Sequence, residues 1–143
     1  MSKSNTFEND LLKLIFCGTA IANMADNAAF GPVTNLYVAL HTAGPGEAGN
    51  QGTSEVAYTG YARVAVARTS GGWTVTGNSV SPAAGIEFPE MTGGADGVAT
   101  HASIGTDASG TGKILYSGAL TPNIGYALGV TPRIKTTSAI TED

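Results

Sequence analysis

The sequence has little charge. Asp, Glu, Lys and Arg make up 13% of the 143 residues, whereas about 25% is usual in soluble proteins. The few basic residues are scattered and the net charge is −4. Nucleic-acid binding needs clustered Lys and Arg that neutralise phosphates, so we expect no nucleic-acid partner. Hydrophobic residues reach 42%, which predicts a folded chain rather than a disordered one.

Cysteine and long apolar runs are also scarce. The single cysteine, Cys17, excludes an internal disulfide and is compatible with assembly in a reducing cytoplasm. No run approaches the roughly 20 apolar residues of a membrane span. The first ten residues lack the basic and apolar regions of a signal peptide. We therefore expect synthesis in the cytoplasm and no membrane partner.

Residues that suit catalysis or metal binding are few. His41 and His101 are the only histidines, without the His-x-His or His-x-x-x-His spacing of a metal site. Both fall on the polar side of a predicted strand, which favours surface or interface hydrogen bonding over catalysis. Residues 44–52 are Gly-rich but lack the Lys-Ser/Thr ending of a phosphate-binding loop. The sequence therefore predicts no enzyme, no cofactor and no metal.

The N-terminal segment predicts an amphipathic helix over residues 6–17. Asn5 and Glu8 have the spacing of a capping box, and Gly18 suits the C-terminal end of the helix. The apolar residues recur at helical spacing. These residues are Phe7, Leu11, Leu14 and Ile15, and Leu12 and Phe16 widen the apolar stripe. Residues 19–33 contain both helix-forming and helix-breaking residues and remain ambiguous.

Residues 35–134 have the pattern of seven or eight short strands at spacings of about ten residues, typical of a β-sandwich or small barrel. In the first strand, apolar residues at 36, 38 and 40 alternate with 37, 39 and 41, and in the second, residues 62, 64 and 66 alternate with 61, Arg63 and 65; each pattern predicts one buried face. The predicted strands are 35–42, 61–69, 73–76, a short return near 80, 85–88, 98–105, 113–120 and 124–134. Turns are predicted at Gly77-Asn78 and over residues 107–112, where Asp and Gly supply the required backbone angles. Residues 1–5 and 136–143 read as tails of a single domain, 1–143.

Residues 43–60 separate the first two strands and show no periodicity. This Gly-rich insert predicts a long exposed loop, and loops of such length in a compact domain are usually functional or disordered. The aromatic residues offer another possibility, a sugar-stacking platform, although such residues more often fill a core or an interface. They are Tyr37, Tyr58, Tyr61, Trp73, Tyr116 and Tyr126.

Three stretches resemble a family of small phage virion proteins that are commonly labelled tail-fibre proteins. They are TFENDLLKLIF, then NLYVALHTAGPGEAGNQGTSEVAYTGYARVAVART with its continuation SGGWTV, and GKILYSGALTPN. The chain is also similar to the capsid cement, or decoration, protein of short-tailed Bordetella-type phages. That resemblance implies a jelly-roll antiparallel β-sandwich with one N-terminal helix.

The resemblance further implies a cement protein that binds the major capsid protein on the outer capsid surface of the virion and stabilises the shell against internal pressure. We expect a homodimer, made in the host cytoplasm. A tail-fibre or baseplate adaptor is the first alternative, and a carbohydrate-binding module the second. The expected contacts with the shell or a sister subunit are the tails and the insert. The candidate interface residues are Phe7, Leu11, Leu14, Pro45, Glu47, Asn50, Gln51, Glu55 and Tyr58.

Overall fold

The computed structural model describes residues 4–21 and 33–142, which form one helix and nine strands. In chain order the elements are α1 (Asn5–Cys17), β1 (Asn35–His41), β2 (Val64–Ala67), β3 (Trp73–Thr76), β4 (Ser79–Pro82), β5 (Ile86–Glu87), β6 (Gly97–Gly105), β7 (Ile114–Tyr126), β8 (Arg133–Ile134) and β9 (Ile140–Thr141). The ambiguous residues 19–33 lie mostly outside this described part.

The chain divides into two compact units, each built from separated stretches. The first comprises Met1–Asn35, Val66–Ile86 and Ile134–Asp143, and the second comprises Leu36–Ala65 and Glu87–Arg133. The sheets have the strand orders β2-β1-β6-β7, β3-β4-β9 and β5-β8. The β1–β6, β6–β7, β3–β4 and β4–β9 pairs are antiparallel. This confirms the predicted class, a mainly β protein of the sandwich type with an N-terminal helix, while the single domain stays a prediction.

Helix α1 confirms the predicted helix to within one residue. The Ser4 carbonyl accepts the Glu8 N–H at 3.0 Å, so the cap lies at Ser4 and not at the predicted Asn5. Among the side chains of α1 that the structure describes, the most buried are those of Glu8, Leu12 and Phe16, one row at i, i+4 and i+8. The prediction placed Leu12 and Phe16 at the edge of the apolar stripe, whereas the structure places them at the centre of the buried face. Phe16 fixes the rotation of the helix because its ring meets Trp73 edge-on at 4.8 Å.

The C-terminal end of α1 is capped from a distant part of the chain. Gly18 has a positive φ of 67°, as a residue just past a helix end often does. The Arg68 guanidinium donates to the Ile15 carbonyl at 2.6 Å and to the Leu14 carbonyl at 2.5 Å. These carbonyls belong to the last turn, where helix carbonyls lack intrahelical partners and a positive charge is favourable.

The first strand forms as predicted, but both of its faces are buried toward its end. Val38, Ala39, Leu40 and His41 are all buried, so the predicted alternation is wrong from Ala39 onward. The cause is the chain that follows the strand, which returns to cover the second face. Strand β2 is shorter than the predicted 61–69, and the Arg63 side chain just before it is buried.

Strand β7 extends further than its local sequence predicts, whereas the predicted strand over residues 124–134 is wrong over residues 127–132, because only residues 124–126 and β8 are strand. Strand β7 is continuous where a break was expected between residues 120 and 124. Its register against β6 passes from Ala99↔Ile124 to His101↔Ala119, so a bulge containing the cis Thr121–Pro122 bond lets the strand continue past the proline. The hairpin of β3 and β4 turns at Gly77, as predicted, with φ 61°.

The predicted C-terminal tail is partly a strand. In β9, Ile140 pairs with Val80 and Thr141 with Ser79. The Asn78 side chain then donates to the Glu142 carbonyl at 2.8 Å. The prediction of a free polar tail over 136–143 is therefore wrong at these positions, because the backbone of β4 offers an edge that Ile140 can join.

Candidate functional site

Residues 43–60, which we call the roof loop, fold back onto the sheet. The Thr42 N–H donates to the Ser54 carbonyl at 2.8 Å, and the Val56 N–H donates to the Leu40 carbonyl at 2.9 Å. His41 and Glu55 form an antiparallel bridge. The returning half of the loop thus runs beside the end of β1. The prediction of a wholly exposed loop is wrong for this inner half.

The roof loop covers a polar row on one face of β1 and β6. His41 lies opposite His101, and Ala39 lies opposite Ser103, so these four side chains share a face. An added Cβ on Gly44 would lie 3.2 Å from His101 Nε2, which shows how closely the loop backbone approaches the row. The predicted surface role of His41 is wrong, because the loop leaves it 0% exposed.

Both ring nitrogens of His41 have partners. Nδ1 lies 2.8 Å from the Thr53 carbonyl oxygen; because this oxygen only accepts, Nδ1 carries the proton. Nε2 then accepts from the Ser103 hydroxyl at 2.7 Å. Burial lowers the pKa of His41, against smaller opposing effects that include the Thr53 bond. The neutral ring is therefore the form that fits this site.

The Ser103–His41 contact has the spacing of a nucleophile and its general base. Ser103 is 1% exposed and His41 is 0% exposed. A substrate would have to displace the roof loop to reach either atom. The pair therefore acts as a structural hydrogen bond in this fold.

Arg63 anchors the roof loop through a buried ion pair. Its guanidinium contacts the Glu55 carboxylate twice, Nε to Oε1 and Nη2 to Oε2, each at 2.7 Å. It also donates to the Asp107 carbonyl at 2.8 Å and the Gly110 carbonyl at 2.6 Å, and at 3.5 Å to Gln51 Oε1. The Glu55 hydrogen bonds raise the pKa of Arg63. All five N–H groups of the side chain are thus used.

Gln51 completes this network from inside the loop. Its side-chain amide donates to the Tyr37 carbonyl at 2.9 Å, and its oxygen accepts the Asp107 N–H at 3.2 Å. Its backbone N–H donates to the Gly112 carbonyl at 2.9 Å. The loop is consequently tied to both β1 and the turn between β6 and β7, which the sequence predicted at residues 107–112.

The predicted interface residues separate into three groups. Pro45, Gln51 and Tyr58 are buried, and Glu55 is held by Arg63. Within the described residues, then, the side chains of these four serve internal packing. Leu11, Leu14 and Asn50 are half-buried, and the Phe7 side chain lies outside the described part. Glu47 is exposed, so among the predicted interface residues its side chain is the one most open to a partner.

The outer surface of the roof loop includes a short tip around Glu47. Gly46, Glu47 and Ala48 are exposed. An open cavity of about 380 Å³ separates this tip from the start of β7 and is lined there by Ile114, Leu115 and Ser117. A neighbouring protein can reach this tip, and Gly52 and Ser54 are further exposed positions of the loop.

Two of the six aromatic residues of the hypothesised sugar platform, Trp73 and Tyr58, lie in the core. Trp73 is 2% exposed and Tyr58 is 6% exposed, so neither ring has a free face. Tyr58 packs edge-on against Tyr61 with centroids 5.4 Å apart, and its hydroxyl donates to the Pro89 carbonyl at 2.6 Å. They belong to the core, the commoner of the two interpretations.

Sequence reasoning missed the importance of Arg63 and Ser103. Arg63 finds its acceptors eight, 44 and 47 positions away, and no local motif encodes those distances. Ser103 meets His41 across 62 positions. The only available signal was Arg63 as a basic residue in the alternating pattern of the second predicted strand. That pattern predicted an outward side chain, whereas the structure buries it.

Other classes of site receive no support within residues 4–21 and 33–142. That part of the chain holds no cluster of three or more His, Cys, Asp or Glu side chains placed to bind a metal. None of its helices is long and apolar enough to cross a membrane. The same residues contain a loop that internal hydrogen bonds hold on the sheet and whose tip is accessible.

Comparison with known proteins gives one result that covers nearly the whole chain. The family model described as Podophage GP4 fiber I protein gp80 matches residues 2–141. No curated protein matches the chain.

Proposed function

The chain belongs to the podophage GP4 fiber I protein gp80 family, and we propose that it is a fibre component of the virion, acting as a small adaptor or tip. Family membership makes it a phage virion structural protein. The observation that carries the proposal is the extent of the match, residues 2–141, which includes every described helix and strand.

An adaptor holds neighbouring proteins through fixed surfaces, and the roof loop supports such a role. Arg63 and Gln51 tie the loop to the sheet from within, so its accessible tip is held in place before a partner arrives. A surface that is already ordered loses less conformational entropy on binding. The tip around Glu47 is the contact that we propose, with the half-buried Leu11 and Leu14 of α1 as a second candidate.

Binding rather than catalysis is the activity that we infer. The Ser–His contact is closed to solvent, and a fibre protein works by joining other proteins. Self-association as a homodimer remains a prediction.

A capsid cement protein is the second candidate. The resemblance of the chain to capsid cement proteins favours this role, as does the lack of the sequence repeats that a fibre shaft would show. In that role the chain would bind the major capsid protein on the outer capsid surface, and many copies would stabilise the shell by mass action. The sequence analysis favours the cement role over the fibre role, whereas the description of the matched family as a fiber protein favours the fibre role.

The copy number and position of this chain in virions distinguish the two roles. Quantitative mass spectrometry of purified virions would measure its ratio to the major capsid protein, and electron microscopy with an antibody against the chain would locate it. A fibre component should be far less abundant than the capsid protein and should label the tail region. Comparable amounts with label over the whole head would refute the fibre proposal and support the cement role.

A further inference from the structure

We propose that His41 is an acid-sensitive clasp that holds the roof loop on the sheet, and that protonation of His41 releases the loop. This inference does not depend on whether the chain sits in a fibre or on the capsid. It concerns a buried histidine that bonds a loop on one side and a strand on the other.

The clasp works because each ring nitrogen has one specific task. Nδ1 donates to the Thr53 carbonyl, which belongs to the roof loop, at 2.8 Å. Nε2 accepts from the Ser103 hydroxyl, which belongs to β6, at 2.7 Å. A second proton on Nε2 would turn this acceptor into a donor facing another donor. Ser103 would then have to turn its hydrogen elsewhere, although it is 1% exposed.

The charged and titratable groups around the ring do not compensate for that change. On the loop, the Glu55 carboxylate attracts a positive ring, but Arg63 already engages both of its oxygens. Arg63 itself and His101, which lies opposite on β6, repel a positive ring. The Tyr61 hydroxyl stays neutral and provides no negative charge, because burial raises its pKa far above the acid range. A protonated His41 therefore lacks a free counter-charge in the closed state.

The direction of the pH effect follows from linkage. In the closed state burial keeps His41 neutral, whereas in an open state the ring meets water and titrates near its ordinary pKa of about 6.5. Acid therefore favours the open state. Below about pH 6.5 the opening equilibrium should rise by up to about tenfold per pH unit for one proton. The rise ends at the lower pKa of the closed state.

Hydrogen–deuterium exchange of the Thr42 and Val56 amides, which bond the returning half of the loop, measures this opening directly. We would record it from pH 7.5 to 5 on the full chain, correcting for the intrinsic pH dependence of exchange. The wild type should show the tenfold slope. His41→Gln removes the titrating ring and should exchange faster but without that slope. His101→Gln, the matched control on the opposite strand, should keep the slope.

Either of two results would overturn the clasp. One is a wild-type protein whose corrected exchange does not change with pH. The other is a His41→Gln variant that keeps the full slope. If His41→Gln does not fold, the imidazole NMR signal of His41 in the wild type decides. A measured pKa at or above that of an ordinary histidine would refute the proposal, and one well below it, with loop signals shifting on protonation, would support it.

Discussion

Replacement of Arg63 by Met should lower the free energy of unfolding more than any surface substitution does. Met keeps the apolar stem but removes all five N–H groups, leaving the Glu55 carboxylate and the Asp107 and Gly110 carbonyls without the guanidinium. Breaking one side of a buried ion pair typically costs about 3–5 kcal/mol. The Glu55 side chain is 19% exposed, so water relieves part of the loss. We therefore expect the lower end, about 3 kcal/mol.

The exposed ion pair between Arg133 and Glu87 provides the matched control. Its single contact is 3.2 Å long, and the side chains are 58% and 62% exposed. Arg133→Met should cost at most about 1 kcal/mol. Urea denaturation followed by far-ultraviolet circular dichroism gives both values.

A double substitution separates the ion pair from the rest of the network. The Arg63→Met variant leaves the Glu55 carboxylate without its positive partner, and adding Glu55→Gln removes that negative charge. The double substitution should therefore cost less stability than the sum of the two single substitutions. If Arg63→Met lowers the free energy of unfolding no more than Arg133→Met does, the roof loop does not depend on this network, which refutes the prediction.

Three further predictions rest on single contacts. Gly105→Ala would push a Cβ into the Gln51 side chain and should cost about 1–3 kcal/mol in urea denaturation; Gly118→Ala, which meets no atom within 4 Å, should be nearly neutral, and equal losses would contradict this. Arg68→Ala uncaps α1 and should cost about 2 kcal/mol, seen as lost helicity in circular dichroism; unchanged stability would argue against the cap. Burial raises the pKa of Cys17, so a disulfide reagent should modify it more slowly in the native protein than in urea at equal pH; equal rates would refute this.

Local signals predicted the parts of the fold that local chemistry determines. The helix followed from apolar spacing, and the hairpin near Gly77 followed from the turn residues that flank it. The turn before β7 was likewise marked by Asp107 and Gly110, which has a φ of 72°. Each of these features depends on residues within a few positions of one another, so its signal was present in the sequence.

The candidate site depends on contacts that local patterns do not contain. Alternation placed Arg63 and His41 on a polar face, but the roof loop returns over that face and buries them. The loop itself was located correctly from its glycines, whereas its inner and outer sides were not. Gln51 finds a partner 56 positions away at Asp107, and Glu55 meets an arginine that alternation placed on the polar face. The predicted break between residues 120 and 124 contains Pro122, a residue type that normally ends a strand. Strand β7 continues there because the bulge accommodates the proline.

The order in which the stretches of the two units follow one another has a consequence for synthesis. The first unit includes Ile134–Asp143, which follows every stretch of the second unit, Leu36–Ala65 and Glu87–Arg133. As the ribosome makes the chain from the N-terminus, the second unit can close while β4 still lacks its partner strand β9. A chain that stalls after Arg133 would therefore carry one finished unit and one incomplete unit with an open strand edge. Such an edge attracts other chains, so completing β9 protects nascent copies from aggregation.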